Sequence, residues 1–311
     1  MNFSNNELFL EPKVTQYGNH MVMTNVNKPT KTKYYSLDTR FRDDYDEYSK
    51  TNPSYYLLTI PERINDVKSI LVMSIEIPLS FYNISSSLEN NTFQVTSAGI
   101  AKTIIIPDGQ YDSSGLYVAV NRELLLVNLS GLIFNIQGFT SSFSTVSGSY
   151  TIDFAVKSPM TSSGISQNTD FNKFHFKSRF GWLLGFRKIQ YVVTNISQIK
   201  SEAFIDLNGP RYLYLVIDDF TQSNPSSFIA PSYTSLLNNN IIAKIYLDRT
   251  FYAFGKMYAA NDSNSWLFCD KRQYTGKVDL QRLKIQLVNE IGLPINLNGL
   301  DFSFSLEIKY E

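Results

Sequence analysis

Cysteine is nearly absent from this 311-residue chain, with Cys269 the single example. One thiol excludes an intramolecular disulfide framework and a multi-cysteine zinc site, and it fits folding in a reducing compartment. Nothing around Cys269 would lower its pKa, so it reads as a buried, inert thiol. Histidine is almost as scarce. His20 and His175 are the only two, and neither has a partner at metal-ligand spacing. Charge of one sign is not in excess either, because 28 basic residues balance 28 acidic ones. A neutral chain without a Lys/Arg-rich run lacks a general attraction to nucleic acid or to anionic membranes, so no direct nucleic-acid contact is expected. No apolar run approaches the roughly 18 residues of a membrane span, so no transmembrane segment is expected. The N-terminus shows neither the basic nor the apolar region of a secretory signal. Nucleophile elbows, phosphate-cradling loops and dinucleotide fingerprints are missing as well. The sequence therefore assigns no catalytic residue, no cofactor and no metal ligand.

What the chain does have is apolar, aromatic and β-prone. Hydrophobic residues make up 43% and aromatic residues 14%, enough for a large core at this length. Residues 1–32 are polar and aperiodic, and read either as an extended arm that orders on a partner or as a plain terminus. From residue 33 the pattern becomes short strands, at 34–37, 55–60, 67–77, 92–96, 103–106, 132–137 and 149–156. A Ser/Thr-rich loop separates the last two. Further strands fall at 202–207, 211–218, 241–248, 278–288 and 301–310. In the last of these Phe302, Phe304, Leu306, Ile308 and Tyr310 alternate toward one face. Leu116, Val120, Leu124 and Val127 recur at helical spacing, which predicts one helix over about 115–127 capped by Ser113 or Ser114. Phe180 to Arg187 reads as a single helical turn that plugs a core, and 158–170 is linker-like. Short strands joined by Gly, Pro and Asn turns predict an all-β, mainly antiparallel, jelly-roll-like β-sandwich or barrel with one or two short helices. Two β lobes are compatible with this pattern, 99–169 being either an inserted α+β lobe or part of one sandwich spanning 33–311.

Two acidic pairs stand out. Asp43-Asp44 is flanked by Arg40 and Arg42, and Asp218-Asp219 ends an apolar strand. Paired carboxylates at a strand end can bind a divalent cation or act as acid and base, but they equally cap turns, and no second carboxylate cluster stands at a recognisable spacing. Trp182 and Trp266 bear on carbohydrate binding, which would need an exposed indole in a groove beside carboxylates. The segment Asp38, Arg40, Phe41, Arg42 and Asp43 alternates charge around an aromatic residue. It suits Arg–carboxylate pairing, as a clamp inside the fold or as a contact between subunits.

Three ordered stretches resemble a known family. The first is Tyr34-Tyr35-Ser36-Leu37-Asp38-Thr39-Arg40-Phe41-Arg42-Asp43, followed by Ile60-Pro61 and Ser74-Ile75-Glu76-Ile77-Pro78-Leu79-Ser80-Phe81-Tyr82. The second is Ile106-Pro107-Asp108-Gly109-Gln110-Tyr111 with Gly181-Trp182-Leu183-Leu184-Gly185-Phe186-Arg187. The third is Tyr212 to Phe220, with Val278 to Leu287 and Leu300 to Phe304. This order is similar to that of the minor capsid proteins of large nucleocytoplasmic DNA viruses, and it covers the chain from about residue 34 onward. The resemblance implies a virion component with β-sandwich architecture, assembled in the host cytoplasm. It would contact the major capsid protein and other minor capsid proteins, or copies of itself around a symmetry axis. The resemblance carries no catalytic residue. The other reading of the same features is a penton, vertex or fibre-like module that binds host-surface carbohydrate.

Overall fold

The structure, a computed structural model, describes residues 29–43, 55–155, 176–221, 229, 237, 240–248 and 253–311. Most of the expected N-terminal arm, the linker-like 158–170, His20, His175 and Asp44 lie outside the described residues.

The chain opens with three strands, β1 (Lys31–Asp38), β2 (Tyr56–Ile64) and β3 (Val67–Pro78). Alternation sets their faces: Tyr35 and Leu37 of β1, and Tyr56, Leu58 and Ile60 of β2, are buried, whereas Tyr34 is exposed. Beyond β3 the chain leaves this body and builds a second one. There it forms β4 (Thr92–Ser97), β5 (Ile100–Ile105), the helix α1 (Ser113–Leu126), β6 (Leu132–Gln137), β7 (Thr140–Thr145) and β8 (Ser149–Asp153). The one-turn helix α2 (Phe180–Leu183), β9 (Gln190–Thr194) and β10 (Ile199–Lys200) complete it. The chain then returns as β11 (Tyr212–Asp218), β12 (Ile241–Tyr246), β13 (Met257–Asn261), β14 (Leu267–Cys269), β15 (Arg272–Gln273), β16 (Leu280–Asn289) and β17 (Ser303–Tyr310).

The first body is a sandwich of two five-stranded sheets. One runs β1-β17-β3-β13, with β15 also paired to β3, and the other runs β14-β12-β11-β16-β2. Its strand pairs are antiparallel. With the short β14 and β15 set aside, the remaining strands numbered in chain order read 1-8-3-6 in one sheet and 2-7-4-5 in the other. Interleaving of this kind, in which consecutive strands cross between sheets and first and last strands pair, is the jelly roll. Between the sheets lies a core that includes Ile70, Ile75, Ile77, Leu213, Leu215, Ile285, Phe304, Leu306 and Ile308.

The second body hangs on the connection between the third and fourth of those strands. Its sheets are β5-β4-β8-β9 and β10-β7-β6. Phe93, Phe134, Phe143, Phe154, Phe180 and Phe186 are all fully buried in its core. The rings interlock, with centroids 4.9 Å apart for Phe134 and Phe143, 5.1 Å for Phe154 and Phe186, and 5.4 Å for Phe93 and Phe180. Leu116, Ala119, Val120 and Leu124 bring α1 onto the same core. Segment 99–169 contains β5 to β8 and α1, and the core also draws on Ile84, Phe93 and Val95 before it and on residues 176–193 after it.

Three local expectations are corrected. The Ser/Thr-rich stretch after β6 is strand β7, because Ser141 and Ser142 are buried with Phe143 and the Ser141 hydroxyl donates to Leu184 O at 2.6 Å. Residues 202–207 form no strand. Their amides reach three separate partners instead: Ala203 N donates to Gly185 O, Ile205 N to Phe139 O and Asp206 N to Leu183 O. Helix α1 is capped by Asp112, whose carboxylate accepts from Gly115 N at 2.6 Å, and neither Ser113 nor Ser114 serves as the cap.

Candidate functional site

The charged corner after β1 resolves into separate jobs. Asp38 caps a single 3-10 turn over Thr39–Phe41 and accepts from both Nε (2.9 Å) and Nη2 (2.5 Å) of Arg40. These bonds hold the Asp38 carboxyl below the usual carboxylate range. Arg42 points inward. Its Nη1 lies 2.7 Å from Asp301, in the loop that leads into β17, and its guanidinium sits 5.4 Å from the centre of the Tyr56 ring. Asp43 accepts from the Thr59 amide and hydroxyl of β2 and lies 3.5 Å from Arg282 of β16. Four of the five residues thus bind within their own chain at a sheet corner. Phe41 is 77% exposed and Arg40 is exposed beside it, the guanidinium 5.9 Å from the ring centre.

The Asp218-Asp219 pair diverges. Asp218 accepts the Phe220 amide at 2.9 Å, which closes a tight turn in which Phe220 adopts φ 58°. Asp219 is buried and faces the other way. It accepts from Arg272 at 3.2 Å and, through a short contact, from the Tyr274 hydroxyl. Arg272 also donates to the backbone oxygens of Ile217 and Asn240, so the cluster ties β11 to β15 and to the start of β12. The two carboxylates do not converge on one substrate position. Cys269 donates to Val72 O at 3.1 Å, and burial pushes its thiol up to about 11. Trp266 stacks on the buried Tyr258, ring centres 5.4 Å apart. Among the described residues no group of three or more His, Cys, Asp or Glu is placed to hold a metal, and no helix is long and apolar enough to cross a membrane.

A feature that the sequence did not single out lies where the two bodies meet. A cleft of about 700 Å³ is walled by Lys177, Arg179, Trp182 and Arg187 from the second body, by 203–212 from the returning chain, and by Asn289 to Ile291 at the end of β16. Trp182 is half-buried there, with the Arg187 guanidinium 3.9 Å from its ring centre. Arg179 is fully buried and pairs with Glu89 at 2.8 Å. Arg211 pairs with Asp206 at 3.1 Å across the mouth. The site has no local signal in the sequence, because its charges come from three separate stretches. The nearest signal was Trp182 itself.

Apolar side chains also face outward. Phe139 and Phe204, each 70% exposed, stack on one another with ring centres 5.6 Å apart. Val118, Leu125 and Leu126 stand out from α1 at 60%, 61% and 67% exposure.

No protein-family model matches this chain, and no curated protein does. Among solved structures the chain is similar to the mavirus penton protein. The identity is 11% and the TM-score 0.39, with 91% of this chain and 100% of that chain covered.

Proposed function

We propose that this chain is a structural component of a viral capsid, packing against the major capsid protein and other minor capsid proteins. The strand order of the first body carries this reading. Two sheets ordered 1-8-3-6 and 2-7-4-5 are a jelly roll, an architecture shared by viral capsid and lectin domains. A fold does not fix a function. Within that choice the ordered motifs from Tyr34 to Phe304, which resemble minor capsid proteins, favour the capsid. Many of those motif residues are consumed by the fold: Arg42, Asp43, Phe186 and Asp219 all bind or pack within the chain. Contact between subunits then falls to what is left outside, namely Arg40 and Phe41 at the corner, the Phe139–Phe204 pair and the outer face of α1. Aromatic and arginine side chains are the types that anchor interface centres. Zero net charge spares closely packed copies long-range repulsion.

The test is to purify virions, identify their proteins by mass spectrometry and locate this chain in a cryo-EM map. The expected result is stoichiometric presence, with the jelly roll in the shell and the exposed aromatic residues at subunit contacts. Absence from the virion would end the reading. A position at the five-fold vertex would make the chain a penton.

A further inference from the structure

We propose that the far end of the second body is a membrane-docking tip, which buries aliphatic side chains in a lipid bilayer. The inference does not depend on a place in the capsid, because the isolated chain tests it.

Strand direction gathers four apolar side chains at that end. β4 starts just after the chain arrives from the first body and ends at the turn that leads to Ile100. Pairing sets the other turns beside it, since Tyr150 of β8 lies opposite both Ser97 of β4 and Val193 of β9. The β7–β8 turn, with Val146, and the β9–β10 turn, with Ile196, therefore stand at the same end. Lys102 ties in the end of α1, its ammonium donating to Val127 O at 2.6 Å, and this brings Leu126 to the tip. Ile100, Leu126, Val146 and Ile196 are 64%, 67%, 78% and 92% exposed. One exposed aliphatic residue is ordinary, whereas four from separate stretches at one end form a patch.

Composition selects the partner. Residues 97–101, 126–131, 145–149 and 194–198 carry no charged and no aromatic side chain. Contacts between proteins favour aromatic residues and arginine, as at Arg40 and Phe41, so the tip differs from the surfaces left for subunits. A hydrocarbon layer requires the opposite, no charge and backbone groups already paired. The turns meet that requirement. Ser97 and Ile100 pair across a tight turn in which Ala98 and Gly99 adopt φ 51° and 77°. The Thr194 amide donates to Ser197 O at 3.2 Å, and the Ser197 amide to Thr194 O at 3.1 Å. The Thr145 hydroxyl donates to Ser147 O at 2.6 Å and accepts from the Ser147 amide at 3.2 Å. Turns closed in this way hold the side chains outward with little freedom left to lose. Zero net charge gives no pull toward anionic lipid, so apolar contact carries the binding.

Flotation of the full chain with phosphatidylcholine vesicles tests this. The wild type should float with the vesicles, and a several-fold rise in salt should not release it. Ile196→Asp and Val146→Asp should each weaken partitioning about tenfold or more. Their melting temperatures should not change, because both side chains already stand in water. Phe139→Asp, at the opposite end of the body, should float as the wild type does. Ile196→Trp should gain a blue-shifted emission with vesicles, quenched by brominated phosphatidylcholine, that the wild type lacks. The proposal fails if the wild type stays in the soluble fraction or if the aspartate variants float equally well. Binding to anionic vesicles alone, reversed by salt, would also overturn it. So would a wild-type dimer in sedimentation that Ile196→Asp dissolves while no vesicle is bound, since the tip would then join two copies.

Discussion

Arg42 and Asp301 stand 259 residues apart in sequence and 2.7 Å apart in space, in a bridge whose side chains are only 3% and 14% exposed. Thr39 adds to the joint, its hydroxyl donating to Asp301 at 2.9 Å and accepting from the Phe302 amide at 3.0 Å. The bridge fastens the corner after the first jelly-roll strand to the approach to the last one. Those two strands are neighbours in the sheet, with Leu37 opposite Phe304.

Arg42→Ala therefore strips Asp301 of its charged partner inside the fold and should destabilise the chain by about 3–5 kcal/mol. Phe41→Ser, one residue away but exposed, should change stability by less than about 0.5 kcal/mol. Urea denaturation of the two variants checks both figures. If Phe41 also proves to matter for binding to capsid partners, fold and contact are separated within one turn.

The two carboxylates that end β11 should respond unequally. Asp219→Ala leaves Arg272 buried without its carboxylate and should cost about 3–5 kcal/mol. Asp218→Ala removes one turn hydrogen bond and should cost about 1 kcal/mol. Equal losses from the two variants, measured by thermal melts, would contradict the divergent geometry.

Glycine is required at two points where the second body closes on its aromatic core. A Cβ on Gly181 would overlap the Phe154 ring. One on Gly185, which has φ +91°, would overlap Ala203 O, a backbone atom that cannot swing aside. Gly181→Ala should cost about 1–3 kcal/mol. Gly185→Ala should cost more, because backbone strain adds to the overlap. Gly276, with open space around it, should accept alanine within about 0.5 kcal/mol. Differential scanning calorimetry of the three variants gives the ranking.

Burial raises the Glu290 carboxyl above its ordinary value of 4.5, against weaker opposing effects of the Arg211 amide and guanidinium. A carboxyl raised on folding binds its proton more tightly in the native state. Its contribution is thus fully present below pH 4.5 and is lost as the pH climbs through the raised value. Compared with Glu290→Gln, the wild-type chain should lose stability as the pH rises from 4.5 through the raised value. Paired urea titrations across that range read the difference directly, and parallel curves for the two proteins would exclude it.

Much of this was written locally. Strict alternation in β17 put Phe304, Leu306 and Ile308 inward, and Ile308 reaches 0% exposure because a period of two leaves it no other face. Leu116, Val120 and Leu124 placed α1 to within a few residues for the same kind of reason. Strand β7 was hidden, because its serines are polar by composition and buried only through hydrogen bonds made across the body. The short β14 and β15 were hidden too, since two or three residues carry no period.

Charge is less legible in the sequence than apolar pattern. The corner from Asp38 to Asp43 stood out as alternating sign, yet Asp301 draws Arg42 inward while Arg282 meets Asp43 at the surface, and both partners come from the far end of the chain. The sequence by itself determined that this protein would be antiparallel β, built on aromatic and β-branched cores, because side-chain alternation is a local property. Only the tertiary structure decided the jelly-roll order, the partners of each buried charge and the cleft at Trp182. Those depend on residues that meet from distant stretches of the chain, as Asp219 meets Arg272 across 53 positions and Glu89 meets Arg179 across 90, and no local period records such a meeting.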